Sequence, residues 1–284
     1  MKKLLCLILP LLAASAQAAG PDFREHLGLQ MWSLRFTAKE SMPAALDVAK
    51  KFGFTELETG DGGSLTMEQF NTEMKARGLV PIGIHIQYDA LKKDLAGSIR
   101  SAKTIGARYI VVPWVPQGPE GFTEDLAHAT AADFNAWGEA CNAAGLKFAY
   151  HPHGYEFTPS AVGHGETVFD VLMRETKPEL VTYEMDVYWA FYGGADPAKL
   201  MEKYPTRWSL MHLKDMRIGA PTGLSVGHSP PTDIVPLGTG QIKWAPVLRT
   251  AQKVGIKYYF IEEEGTEPLV AIPISLKYLH DLKL

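Results

Sequence analysis

The spacing of short apolar runs along the chain constrains it more than any other feature. β-rich runs recur at 27–32 (LGLQMW), 54–58 (FTELE), 80–85 (VPIGIH), 108–113 (RYIVVP), 147–151 (KFAYH), 181–186 (VTYEMD), 208–213 (WSLMHL) and 257–262 (KYYFIE). The first four centres fall near 29, 56, 83 and 110, about 27 residues apart, and the later gaps are equal or longer, as insertions make them. Between the runs lie helix-patterned stretches at 42–52, 67–77, 91–105, 130–144 and 244–254. Gly53, Gly78, Gly106, Gly145 and Gly255 each follow such a stretch and precede a run, where a left-handed residue is expected to stop the helix.

Eight strand–helix units at this spacing predict an α/β fold, a single-domain (β/α)8 TIM barrel. A doubly wound sheet uses the same alternation, but no glycine-rich dinucleotide fingerprint follows the first run, where the turn reads Trp32-Ser33-Leu34-Arg35. Ahead of the barrel, Lys2 and Lys3 precede an apolar run from Leu4 to Leu12 and then Ala16-Gln17-Ala18, the pattern of an export signal. The expectation is a signal peptide at 1–18, a barrel at 19–284 and a periplasmic destination; the apolar run is too short to span a bilayer. Losing eighteen residues, two of them lysines, takes the formal charge from −4 to −6, which argues against nucleic-acid and membrane partners. Cys6 leaves with the signal and lacks the small preceding residues of a lipoprotein site. Cys141, on a helical stretch, then has no disulfide partner and is expected in the core.

Chemistry in such a barrel sits at the C-terminal ends of the strands. The second run ends at Glu58, the third at His85, the fifth at His151 with His153 just beyond, the sixth at Asp186, the seventh at His212 and the eighth at Glu262. Asp186, His212 and Glu262 converge on one rim, a donor set for one divalent ion such as Mn, Co, Mg or Zn. A fourth ligand comes from His151 or the nearby Glu156. Any one of these acids alone is more often a helix cap or salt-bridge partner. Several on adjacent strands reverse those odds, because clustered negative charge is costly without a cation.

The strings YHPHGYEF (150–157), YEMDVYW (183–189), LMHLKD (210–215), PLGTGQIKW (236–244) and YYFIEEE (258–264), with LGLQMWSLR (27–35) at the start, carry a family likeness. Together they resemble the xylose-isomerase-like TIM barrel superfamily, in its sugar phosphate isomerase/epimerase branch. The resemblance implies one divalent metal held by Glu, Asp, His and Glu from strands five to eight. Asp186, His212 and Glu262 match the last three. Many relatives carry Glu-Asn-His at strand five where this chain has His151-Pro152-His153, and the resemblance to relatives with a His-x-His string followed by Glu puts Glu156 ahead of His151 as the metal ligand.

A metal bridging a carbonyl and an adjacent hydroxyl stabilises the enediolate left when the α-proton departs. Neighbouring carboxylates and histidines then transfer protons. In epimerases of the superfamily the strand-five and strand-eight carboxylates, here Glu156 and Glu262, are paired acid and base. The departure at strand five also admits a one-base elimination or hydration with His151 or His153 as proton donor. The expected function is a divalent-metal-dependent sugar isomerase or epimerase acting on a non-phosphorylated sugar or glycoside. Alternatives are a 3-keto-glycoside lyase or hydrolase, a non-catalytic sugar-binding barrel and, disfavoured by charge, an apurinic-endonuclease-like nuclease.

A phosphate cradle is not evident, since Gly60, Gly62 and Gly63 enclose Asp61. Trp32, Trp114 and Trp189 fall at or past strand ends, where an indole can cover a sugar face or simply pack the core; Trp137 and Trp208 are expected in the core. Lys214 and Arg217 are candidates for sugar hydroxyls or for surface salt bridges, and His85 for a substrate contact or a buried histidine satisfied by backbone. The Gly- and Pro-rich stretch 216–241, with His228 and Asp233, is expected to be a lid over the metal, against the plainer reading of a partner-binding arm.

Overall fold

The computed structural model describes residues 22–161, 163–223 and 227–284, so the expected signal at 1–18 lies outside the described residues. Eight parallel strands close into a barrel: Leu27–Gln30, Glu56–Thr59, Val80–His85, Tyr109–Val112, Lys147–Tyr150, Val181–Asp186, Trp208–Leu213 and Tyr258–Ile261. They are called strands one to eight below. Each neighbours the next in sequence, and strand eight returns to strand one through Leu27↔Tyr259, Gly28↔Phe260 and Leu29↔Ile261. All eight periodic runs are therefore strands; those at 80–85, 181–186 and 208–213 keep their bounds, and the others shift by a residue or two.

The intervening helices follow local chemistry. Thr66 and Gln69 form a reciprocal capping box that starts Met67–Ala76, and Trp244–Val254 begins and ends where the sequence pattern does. Gly106 and Gly255, at φ +82° and +86°, close the helices before strands four and eight. Two helices differ from expectation. The stretch 91–105 is broken into Tyr88–Lys93 and Leu95–Ile105, because Asp94 leaves helical backbone (φ −150°, ψ 78°) and caps the second piece by accepting the Gly97 N–H at 2.7 Å. The stretch 130–144 belongs to a longer helix, Glu124–Ala143, capped by Thr123.

Side chains alternate inward and outward along each strand. Outward residues such as Leu29, Leu57, Phe148, Tyr183 and Met211 pack with the helices into the main apolar core, which also holds Cys141, Trp137 and Trp208. Inside the barrel Tyr109, Val111, Ala149, Leu210, Tyr258 and Phe260 make a smaller apolar floor. Above that floor the next inward positions are polar: Gln30, Glu58, His85, His151, Glu184, Asp186, His212, Lys214 and Glu262, most of them fully buried. Barrel interiors are ordinarily filled with branched apolar side chains, so this layer is a departure to be explained by chemistry.

Two irregularities lie in that layer. Register shifts between Leu57 and Glu58 where strand two pairs with strand three, and between Tyr183 and Glu184 where strand six pairs with strand seven. Such bulges re-aim the side chain that follows. Here both aim carboxylates inward. Among the described residues, no helix is long and apolar enough to cross a membrane.

Candidate metal centre

Four side chains from strands five to eight meet above the floor: His151, Asp186, His212 and Glu262, each offering one donor atom, with all four atoms within 4.8 Å of one another. His151 Nε2 is 3.2 Å from Asp186 Oδ2. His212 Nδ1 is 3.1 Å from Glu262 Oε2 and 3.5 Å from Asp186 Oδ2. Asp186 serves two masters, since its Oδ1 accepts the Trp189 N–H at 2.8 Å and caps the helix Val187–Tyr192. The helix-cap reading of this residue is observed at Oδ1, and Oδ2 is left facing His151 and His212.

Lys214 completes the charge pattern. Its buried ammonium lies 2.6 Å from Glu262, 2.5 Å from Glu264 and 3.4 Å from Asp186. Burial alone would raise the carboxyls of Asp186 and Glu262, but Lys214, with the flanking histidines, holds both well below the usual range. Burial opposes the charge on His212, yet Glu184, Glu262 and Glu58 raise it well above an ordinary imidazole. His153 goes the other way: burial, with His151 and Lys214 beside it, pushes it well below 6.5. Two imidazoles and two carboxylates at this spacing suit a borderline divalent ion such as zinc or manganese.

Glu156 is not brought to this group. Strand alternation explains why: Ala149 and His151 face the barrel interior, so Tyr150 faces outward, and the turn Tyr155–Phe157 carries Glu156 to the outward side. There its carboxylate accepts the Tyr150 hydroxyl and, through both oxygens, the His153 N–H at 3.1 Å. Burial pushes its carboxyl up to about 7. The strand-five donor beside Asp186 is His151, whose Nδ1 has no partner among the described residues.

The other candidates divide by position. His153 stands with its ring centroid 4.5 Å from that of His151 and 5.3 Å from that of Trp114, and its Nδ1 has no hydrogen-bond partner among the described residues. Trp189 is buried, lies 5.2 Å below the Lys214 ammonium, and its indole N–H has no partner among the described residues. Trp114 is stacked on His228 at 5.3 Å, and Trp32 is 56% exposed at the rim. Arg217 is not part of the centre: its guanidinium is held by Asp233 at 2.6 Å beside a two-stranded ribbon, Asp215–Met216 with Ile234–Val235.

The expected lid is partly tethered. Residues 224–226 lie outside the described residues, but Tyr192 donates to the His228 carbonyl at 2.7 Å. Asp215 accepts from Gly238 N, Gly240 N and Trp244 Nε1 at 2.9–3.2 Å.

Glu184 was not anticipated. It lies two residues before Asp186 on the same inward face, and the period of two along a strand is the signal that finds it. Together with Glu58, His85 and His212 it forms a second group of close donor atoms beneath the first.

A family model described as a xylose isomerase-like TIM barrel matches residues 46–282. The chain belongs to that family. Among solved members of similar shape, a sugar phosphate isomerase/epimerase from Parabacteroides distasonis is 26% identical with a TM-score of 0.69, covering 93% of this chain and 95% of that one. The IOLI protein, solved with a bound zinc atom, has a TM-score of 0.72 over 90% of this barrel and 97% of its own chain, at 14% identity, a likeness of fold alone. An inosose dehydratase of Geobacillus kaustophilus is 30% identical over 145 residues, 48% of this chain and 44% of the relative. This xylose isomerase-like barrel thus aligns with under half the length of that curated relative.

Proposed function

We propose that this barrel is a divalent-metal-dependent enzyme that removes a proton beside a carbonyl of a non-phosphorylated keto sugar or related cyclic ketone and expels an adjacent oxygen substituent. His151, Asp186, His212 and Glu262 would hold the ion. That convergence of donors is the observation that carries the reading. A divalent ion there supplies Lewis-acid polarisation of the carbonyl, which acidifies the neighbouring C–H. The chain's own groups do the rest. His153, whose Nδ1 beside His151 has no partner among the described residues, is placed to take or return the proton. Trp189 offers an indole N–H with no partner among the described residues, and Trp114 and Trp32 offer ring faces to the apolar side of a sugar ring.

Elimination is preferred over a proton shuttle between two carboxylates because Glu156 is turned outward and occupied by Tyr150 and His153. The curated relatives named inosose dehydratase support the same class. Isomerisation or epimerisation is the second reading, supported by the Parabacteroides structure. Export through residues 1–18 is part of the proposal and favours free sugars or glycosides over sugar phosphates.

The test is incubation of metal-loaded protein with inososes, keto sugars and 3-keto glycosides in deuterated buffer. Loss of water or of an aglycone supports elimination. Deuterium uptake with the carbon skeleton and all hydroxyls retained supports the isomerase instead. Saturable sugar binding with neither outcome leaves a binding protein and refutes both.

A further inference from the structure

His212 belongs to both groups of donors, and its two nitrogens face different ways. Nδ1 looks up toward Asp186 and Glu262. Nε2 looks down, 2.6 Å from Glu58 Oε2 and 3.2 Å from Glu184 Oε2. A neutral imidazole carries one hydrogen, so a carboxylate that accepts from Nε2 leaves the lone pair on Nδ1.

The place of Glu58 is itself built. Its Oε2 also accepts from Gln30 Nε2 at 2.7 Å and faces His85 Nε2 at 2.9 Å, so three nitrogens converge on one oxygen. The register shift after Leu57 aims the side chain inward. Gly83, opposite it on strand three, leaves the room: a Cβ there would stand 2.6 Å from Glu58 Oε1. A second ion in the lower group would need Nε2 as a donor while Nδ1 served the upper one, stripping the imidazole of both hydrogens. The hydrogen-bond geometry to Glu58 favours a bound proton instead.

We propose that Glu58 is a positioning residue: it holds His212 in the Nε2–H form and so presents Nδ1 to the ion above. The inference rests on the metal reading of the upper group. His85 and Gln30 in turn pin Glu58, which gives His85 a structural office in place of a substrate contact.

The experiment uses the full chain with 15N-labelled histidine, loaded with 113Cd, together with zinc affinity measured against a competing chelator. The expected result is cadmium coupling to Nδ1 of His212 with a proton on Nε2. Glu58→Leu is expected to weaken zinc binding about 10–100-fold, the usual effect of losing an outer partner of a metal-bound histidine. Glu58→Gln, which keeps an acceptor, restores most of the affinity; a purely space-filling role would make the two variants alike. Coupling to Nε2, or zinc binding by Glu58→Leu within twofold of wild type, overturns the proposal. If Glu58→Leu fails to fold, the coupling pattern and Glu58→Gln decide: loss of Nδ1 selectivity, or a loss of affinity of about tenfold or more in Glu58→Gln, would also overturn it. Wild-type protein that binds no metal at all would overturn the metal reading, and this inference with it.

Discussion

Lys214→Met removes the one ammonium among the described residues that sits within 4 Å of Asp186, Glu262 and Glu264. At an effective dielectric near 20, a unit pair 4 Å apart is worth about 4 kcal/mol, and Nζ lies closer than that to Asp186, Glu262 and Glu264. The ammonium's own desolvation offsets much of that attraction. What decides the outcome is the state left behind, two buried carboxylates without their cation, for which removal of one partner costs about 3–5 kcal/mol. In a domain of this size that corresponds to a fall in Tm of roughly 6–20 °C. Thermal unfolding in chelator measures it directly. The same carboxylates are the ones a divalent ion would use, so ammonium and metal compete. Saturating zinc or manganese should therefore narrow the gap in Tm between variant and wild type, and the variant should bind the ion more tightly. A chelated variant within a degree or two of wild type, or equal stabilisation of both proteins by metal, would refute the reasoning.

Two further outcomes follow from the site. His151→Ala should weaken metal binding by more than the roughly 10–100-fold of an outer partner, whereas Glu156→Gln should leave it within a few-fold, both read by chelator competition. Because burial raises the Glu156 carboxyl from 4.5 to about 7, the folded protein keeps that proton where the unfolded chain has lost it. Stability therefore falls as pH rises from about 4.5 to 7. Glu156→Gln should flatten that slope in urea titrations run across the window; an unchanged slope counts against the assignment.

The barrel was readable from sequence because its evidence is redundant. Eight β-rich runs, their spacing and the glycines between them all make one statement, and an error in any single element would not have altered it. The site was readable only where the strand-end rule applies. Asp186 ends its strand, His212 stands one residue before an end and Glu262 one residue past one, and all three lie in the upper donor group. Glu184 sits one inward step deeper, and a search confined to strand ends passes over it. Glu156 was favoured on its residue type and on family likeness. Only the turn after strand five, with its outward hydroxyl at Tyr150, decides which way that carboxylate goes, and no local pattern encodes this. Lys214 shares its inward face with His212, two positions away, so the period that finds Glu184 finds it as well.

The divided carboxylate of Asp186 has a consequence for how this centre can change. One oxygen is committed to the start of a helix, a contact whose loss costs about 1 kcal/mol, so exchange of Asp186 for a softer ligand would loosen a structural joint while altering the donor set. Among the described residues His151 carries no such second duty: its Nδ1 has no partner, and its backbone N–H bonds to the Val112 carbonyl. A substitution at position 151 would therefore change the donor group without touching a helix start, which makes it the position for an engineer to randomise.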